Sequence, residues 1–313
     1  MIAPAVRHFL ADDDVSAHEQ AALLDLAAQL KQDPFSLRPY AGPRSVAVLF
    51  DKPTLRTQSS FAAGIAELGG YPMVVDSRLA GVGSRESVAD VARVLGRQAS
   101  AIVWRTFAQA DLAEMAAYAG VPVVNALTDD FHPCQILADL LTIREHTGAL
   151  AGVRLTYVGD GANNMANSYL IGGALAGLHV RIGAPNGYQP EPGMVHRAAM
   201  IAADTGGSVQ VTESAEDAAD GADVLATDTW VSMGMEGSRA DPEAVFRPYT
   251  LDAALLRRAA ADAIVLHCLP AYRGKEISAE VIDGPQSRVW DEAENRRHAQ
   301  KAVLAFLAEQ AGR

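Results

Sequence analysis

Cysteine is nearly absent from this sequence. Cys134 and Cys268 stand far apart with no Cys-x-x-Cys spacing, which excludes a disulfide framework or a zinc ribbon and fits a reducing compartment. The eight histidines include no His-x-His or His-Glu-x-x-His spacing, so most of them are expected to be surface or packing residues. Positive charge is also scarce: 26 Lys and Arg against 38 Asp and Glu give a net charge of −12. Binding a nucleic-acid backbone needs a broad basic face, so that partner is excluded and any anion site has to be local. No apolar run approaches the ~20 residues of a membrane-spanning helix. The opening Met-Ile-Ala-Pro-Ala-Val-Arg-His-Phe-Leu carries its Arg inside the segment and does not read as a signal. A cytoplasmic protein with no membrane partner is the expectation.

The chain has 313 residues, with 49 % apolar, 20 % charged and 6 % aromatic side chains. That composition suits a folded soluble enzyme, and the length suggests two domains of roughly 150 residues. A helical pattern at 16–32 is followed by short apolar runs at 46–50, 73–76, 101–105 and 122–126. Helical patterns separate them at 59–68, 86–97 and 111–119. A longer helix is predicted over 133–147, with Pro133 in its first turn and Gly148 just beyond it. The alternation then restarts, with strands at 154–159, 180–184, 209–212, 224–227 and 264–268. Helices at 165–178, 194–205, 215–219 and 251–261 lie between them, and a last one covers 292–310. Strands alternating with helices build parallel sheets. The predicted fold class is therefore α/β, with two doubly wound parallel-sheet domains joined by two interdomain helices. The first domain is placed at 1–134, completed by the C-terminal helix at about 292–313, and the second at 135–291.

In such sheets ligands sit beyond the carboxyl ends of the strands, where loops meet helix N-termini. Those segments are polar here. After the first apolar run comes Asp51-Lys-Pro-Thr-Leu-Arg-Thr-Gln58, which opens a helix. Free N–H groups, hydroxyls and Arg56 can cradle a phosphate there, although Thr54 or Thr57 would also serve as an ordinary N-cap. Gly159-Asp-Gly-Ala-Asn-Asn164 begins like a dinucleotide turn, but Asn164 replaces the third glycine and no acidic residue ends the strand at 180–184. Its asparagines suit a small polar ligand, or a turn in which Asn takes positive φ. Asp228-Thr-Trp-Val-Ser-Met-Gly234 can hold an ammonium group, or Asp228 can cap the next turn. In His267-Cys-Leu-Pro270, neighbouring side chains on a strand point to opposite faces, so one of His267 and Cys268 is expected to pack unless the strand bends.

Taken together these segments resemble the aspartate/ornithine transcarbamylase family along nearly the whole chain. Thr54-Leu-Arg-Thr-Gln58 is similar to the family's phosphate loop and His132-Pro-Cys-Gln135 to its His-Pro-x-Gln. Asp228-x-x-x-Ser232-Met-Gly and His267-Cys-Leu-Pro resemble the signatures of its ornithine branch, and Arg105 and Arg296 match two further substrate arginines. Each tetrapeptide is weak alone; their order is what carries the resemblance.

The resemblance implies carbamoyl transfer from carbamoyl phosphate to the δ-amine of L-ornithine, giving L-citrulline and phosphate in arginine metabolism, with no cofactor and no metal. It implies that Thr54, the amide of Leu55, Arg56, Thr57 and Arg105 hold the phosphate. His132, Arg105 and Thr57 then polarise the carbonyl. Gln135 and the carbonyls of Cys268 and Leu269 receive the carbamoyl NH2, and Arg296 completes the cage. Asn163, Asp228, Ser232 and Met233 would hold ornithine, with Cys268 and Asp228 near its reacting amine, and residues 232–247 would form a lid. The implied partner is a second and third copy of the chain, in a homotrimer. Four positions depart from the family pattern: Leu55 and Gln58 in the phosphate loop, Gly81 after the second strand, and Tyr272. The rival readings are a transcarbamylase for lysine, putrescine or an acylated ornithine, and a binding homologue that has lost turnover.

Overall fold

The computed structural model describes residues 6–52, 54–230 and 242–312. The chain divides into two compact units, one of Met1–Leu137 with Asn295–Arg313 and one of Ala138–Glu294.

In the first unit, α1 (Ala17–Gln32) starts at a capping box in which the Ser16 hydroxyl accepts from Glu19 N–H and the Glu19 carboxylate accepts from Ser16 N–H. Then follow β1 (Ser45–Phe50), α2 (Arg56–Glu67), β2 (Tyr71–Asp76), the one-turn α3 (Ser77–Ala80), α4 (Val88–Gln98), β3 (Ala101–Arg105), α5 (Gln109–Ala119) and β4 (Val123–Leu127). The four strands form one parallel sheet in the order β2-β1-β3-β4. Ala47, Leu49, Ile102, Trp104 and Val123 from the sheet pack with Val91 of α4 and Leu112 and Met115 of α5. The β3–β4 register slips after Trp104, which pairs with Asn125 while Arg105 pairs with Leu127. Such a bulge re-aims a side chain at a sheet's rim, and here it falls on Arg105.

The chain passes to the second unit within α6 (Pro133–Thr147). There β5 (Arg154–Val158), α7 (Asn164–Leu175), β6 (His179–Gly183), α8 (Pro192–Thr205), β7 (Ser208–Thr212), α9 (Ala215–Ala219) and β8 (Val224–Thr227) follow. After α10 (Pro242–Phe246) come α11 (Ala253–Leu256), β9 (Ile264–His267) and α12 (Ala279–Ile282), and the chain returns to the first unit within α13 (Val289–Gln310). The sheet is parallel, in the order β7-β6-β5-β8-β9. Its core joins Val158, Leu225 and Val265 to Leu251, Leu255, Ile277 and Val281. Among the described residues no helix is long and apolar enough to cross a membrane.

The helix expected over 251–261 shrinks to the single turn α11. Leu251 is held in extended pairing, its N–H donating to Glu276 O and its carbonyl accepting from Ser278 N. Asp252 then caps the turn through Ala254 and Leu255 N–H, so the apolar spacing serves one turn and a loop. The segment after β2 holds a helical turn, α3, that the sequence pattern did not announce.

Both strand orders reverse direction once, between β1 and β3 in the first unit and between β5 and β8 in the second. At such switch points the two flanking crossovers leave on opposite sides, opening a crevice beyond the strand ends. The residues placed there are Thr54–Thr57 and Arg105 in one unit, and Asn163 and Asp228 in the other.

Candidate active site

In the first unit, Thr57 lies in the first turn of α2 and is fully buried. Leu55 occupies the N-cap position without a side-chain cap, and Thr54 Oγ1 instead accepts from Thr57 N–H at 3.3 Å. Leu55 is 77 % exposed, so its side chain stands outside the buried cluster. Thr57 Oγ1 accepts from Arg105 Nη1 at 3.1 Å and from Arg296 Nη2 at 3.0 Å. A hydroxyl has two acceptor lone pairs and one proton. With both lone pairs taken by guanidinium groups, the Thr57 proton is left to donate. Arg296 also donates through Nη1 to Gln135 Oε1 at 2.8 Å, which fixes both side chains.

His132 precedes α6 and is buried. Burial first, then Arg296, Arg105, Arg56 and Lys52, push its pKa well below the ordinary imidazole value. It is therefore a neutral donor or acceptor in a field of four cations, inside a chain that carries −12 overall. Cys134 in the same motif is buried, with its thiol 3.5 Å from Asn125 O and its pKa pushed up to about 12 by desolvation. It packs and does not react.

In the second unit, Asn163 is the N-cap of α7, with Oδ1 accepting from Ala166 N at 2.8 Å and Nδ2 donating to Tyr157 Oη at 2.8 Å. Its φ is −90°, so the left-handed Asn turn considered from sequence is not formed. Gly159 takes the positive φ instead, at 134°. Gly161 is needed for closeness, since a Cβ there would lie 2.9 Å from Tyr188 O.

Asp228 follows β8, and its Oδ1 accepts from Thr229 N at 2.7 Å and from the Cys268 thiol at 3.2 Å. Desolvation and the carboxylates Asp228, Glu292 and Asp139 hold the Cys268 pKa well above its usual value, so it is a thiol donor. His267 packs, as expected of one member of the pair: its Nδ1 accepts from Leu269 N at 2.9 Å, and Nε2 lies 3.2 Å from Glu276 Oε1. An Nδ1 that accepts an N–H leaves the proton on Nε2, which then donates to Glu276. The chain turns at Leu269, whose φ of 57° is the one left-handed non-glycine conformation among the described residues. Such a backbone costs of order 1–3 kcal/mol and persists where the surroundings impose it, commonly at functional sites. Here it follows directly on β9 and on Cys268.

A family model described as the carbamoyl-P binding domain of aspartate/ornithine carbamoyltransferase matches residues 7–145, and one described as its Asp/Orn binding domain matches residues 151–307. The chain belongs to the aspartate/ornithine carbamoyltransferase family. It is 61 % identical over 307 residues to the ornithine carbamoyltransferase of Renibacterium salmoninarum, covering 97 % of this chain and 99 % of that one. Among solved structures, the ornithine carbamoyltransferase of Gloeobacter violaceus is 47 % identical with a TM-score of 0.87, covering 96 % of this chain and 98 % of that one. That of Pyrococcus furiosus is 40 % identical with a TM-score of 0.92, covering 97 % and 98 %.

Within this carbamoyltransferase fold, Thr54, Leu55, Arg56, Thr57, Arg105, His132, Gln135 and Arg296 all fall in the first unit, and Asn163, Asp228, Cys268 and Leu269 in the second. Ser232, Met233 and Gly234, and with them most of the expected lid, lie outside the described residues. Ligand atoms of Asp228, His267 and Cys268 lie within 4.8 Å of one another. Both ring nitrogens of His267 are already engaged, so its imidazole as it stands offers no lone pair to a metal. Sequence reasoning overlooked Tyr157, Glu276 and Glu292, the last of which accepts from His267 N at 2.7 Å. Glu292 meets His267 across 25 positions, and Tyr157 and Glu276 meet Asn163 and His267 across six and nine, separations that no motif spacing marks.

Proposed function

We propose that this carbamoyltransferase moves the carbamoyl group of carbamoyl phosphate to the δ-amine of L-ornithine, releasing L-citrulline and phosphate. The observation that carries the proposal is the Thr57 hydroxyl held between Arg105 and Arg296 at the N-terminus of α2. A dianionic phosphate is what such a set of donors recognises.

Thr54, the Leu55 amide, Arg56, Thr57 and Arg105 bind the phosphate. His132, Arg105 and Thr57 donate to the carbonyl oxygen, where negative charge grows as nitrogen attacks; losing one such donor typically costs about 10² to 10³ in rate. Gln135, Arg296 and the carbonyls of Cys268 and Leu269 hold the carbamoyl group. Asn163, Asp228, Ser232 and Met233 hold the α-amino and α-carboxylate groups of ornithine, with Cys268 and Asp228 near the δ-amine. The δ-nitrogen lone pair forms the new C–N bond, the C–O bond to phosphate breaks, and the nitrogen loses a proton. No covalent enzyme intermediate is required, so positioning supplies much of the rate. The same reading includes a cytoplasmic location and a homotrimer.

The test is citrulline formation from carbamoyl phosphate with ornithine, against parallel assays with lysine, putrescine and an acylated ornithine. Turnover confined to ornithine supports the proposal. Preference for another amine, or binding of carbamoyl phosphate without product from any amine, overturns it.

A further inference from the structure

Beyond the strand ends of the first unit, adjacent residues of opposite charge reach in opposite directions. Asp51 accepts a hydrogen bond from the hydroxyl of Ser77, which is fully buried at the start of α3 after β2. Lys52 reaches the other way. Its Nζ lies 4.3 Å from the Phe107 ring centroid and 2.7 Å from Asp129 Oδ1. Phe107 follows β3 and Asp129 follows β4, so these two contacts and the Asp51–Ser77 bond together touch every strand end of the β2-β1-β3-β4 sheet. Backbone bonds run beneath this bridge: Asp51 N donates to Arg105 O at 2.9 Å, Thr106 N to Leu127 O at 3.0 Å, and Asp129 N to Phe107 O at 2.8 Å.

The three loops joined in this way carry the groups assigned above to carbamoyl phosphate. Thr54, Arg56 and Thr57 stand just after Lys52, Arg105 just before Phe107, and His132 just after Asp129. The Lys52 side chain is 8 % exposed while that of Asp129 is 58 % exposed. A lysine that gives up solvent to meet a half-exposed carboxylate adds little to global stability. Its effect has to be local. Across a cation–π contact and a 2.7 Å ion pair, it fixes how far the N-terminus of α2 stands from the loop bearing His132.

We infer that Lys52, latched to Asp129 over Phe107 and braced by the Asp51–Ser77 bond, is a positioning residue that sets the spacing between the phosphate cradle and His132. The inference rests on the carbamoyl-phosphate reading of this cluster. Lys52 acts here through the loops, with its ammonium held on Asp129 and over Phe107, and Asp129→Asn separates that role from direct contact with the phosphate. A misplacement of the cradle by a fraction of an ångström weakens every donor in it at once.

The experiment compares wild type with Lys52→Met, Lys52→Arg and Asp129→Asn, measuring Tm, KM for carbamoyl phosphate, and KM for ornithine at saturating carbamoyl phosphate. Asp129→Asn is the decisive variant, since it releases the latch while leaving the lysine charge in place. The expected result is a KM for carbamoyl phosphate raised about tenfold or more in both Lys52→Met and Asp129→Asn. Lys52→Arg, which keeps a donor for Asp129, recovers most of the loss. The KM for ornithine and the Tm stay near wild-type values. If Asp129→Asn matches wild type while Lys52→Met is impaired, Lys52 is a phosphate ligand and the inference is wrong; if neither variant differs from wild type, there is no latch. A wild-type enzyme that forms no citrulline overturns the carbamoyl-phosphate reading together with the inference that rests on it.

Discussion

Arg296 donates to the Thr57 hydroxyl at 3.0 Å across 239 positions of the chain. That bond ties the first turn of α2 to the C-terminal helix α13, and Arg105 reaches the same oxygen from β3. A small side chain thus orients two guanidinium groups while keeping one proton to give. Few residue types can do this: serine has the same hydroxyl, and valine has the shape without the oxygen.

Thr57→Val is expected to lower kcat/KM for carbamoyl phosphate by about 10² to 10³, the usual effect of removing a donor to a developing oxyanion. Thr57→Ser should stay within about tenfold of wild type, since it keeps the lone pairs and the proton. Steady-state kinetics on the two variants checks both numbers. Equal loss in both would mean that the methyl packing, and not the hydroxyl, is what matters.

The two cysteines should be slow to alkylate near neutral pH. Cys268 is kept protonated by desolvation and by Asp228, Glu292 and Asp139, and Cys134 is pushed up to about 12 by burial. Because the thiolate is the nucleophile, iodoacetamide labelling of the native protein should be far slower than of a free thiol at the same pH. It should still be rising well above pH 9. Rapid labelling of Cys268 at pH 7 would contradict the assignment of a thiol donor.

Turnover should climb with pH. The attacking δ-amine must be neutral, and alkylammonium groups titrate near 10.4. At low ornithine, kcat/KM for ornithine should therefore rise by roughly tenfold per pH unit between about 6.5 and 8. His132 adds no break near 6.5, because burial and four cations keep it neutral through that range. A pH-rate profile measures this directly, and a flat profile up to about 8 excludes attack by the free amine.

Stability should fall with acid through α13. His298 is buried, no hydrogen-bond partner among the described residues meets either ring nitrogen, and desolvation with Arg297, Lys301 and Lys31 lowers its pKa to about 4 against the opposing pull of Glu67. The unfolded chain binds a proton near 6.5 that the folded one takes up only near 4. The unfolded state therefore holds more protons across that interval, and stability is lost as pH falls through it. Tm should drop between pH 7 and pH 5, and drop less in His298→Gln. An equal drop in both proteins would assign the acid lability elsewhere.

Much of the candidate site was legible as a set of polar segments, because it begins where apolar strands stop. The polar run after β1 and the motifs at Arg105, His132, Asp228 and His267 each interrupt a buried segment, and the alternation of strands and helices locates them at sheet ends. What could not be read was assembly across distance. Nothing near Thr57 announces that Arg105 and Arg296 will share its oxygen, and nothing near His267 announces Glu276 and Glu292. The choice between His267 and Cys268 also lay beyond period-two reasoning, since it shows only in their contacts, His267 with Leu269 N and Glu276 and Cys268 with Asp228. At 251–261 the apolar spacing read as a long helix because Asp252 as a cap, and the pairing of Leu251 with Ile277, involve partners that periodicity does not see.

The central claim is that the cations gathered around Thr57 bind carbamoyl phosphate. Calorimetric titration of carbamoyl phosphate into wild type and Arg56→Ala, in the absence of ornithine, tests it most directly. Losing a charge-assisted contact of about 1.5–3 kcal/mol should weaken binding by roughly ten- to a hundredfold. Unchanged affinity in Arg56→Ala would contradict the claim.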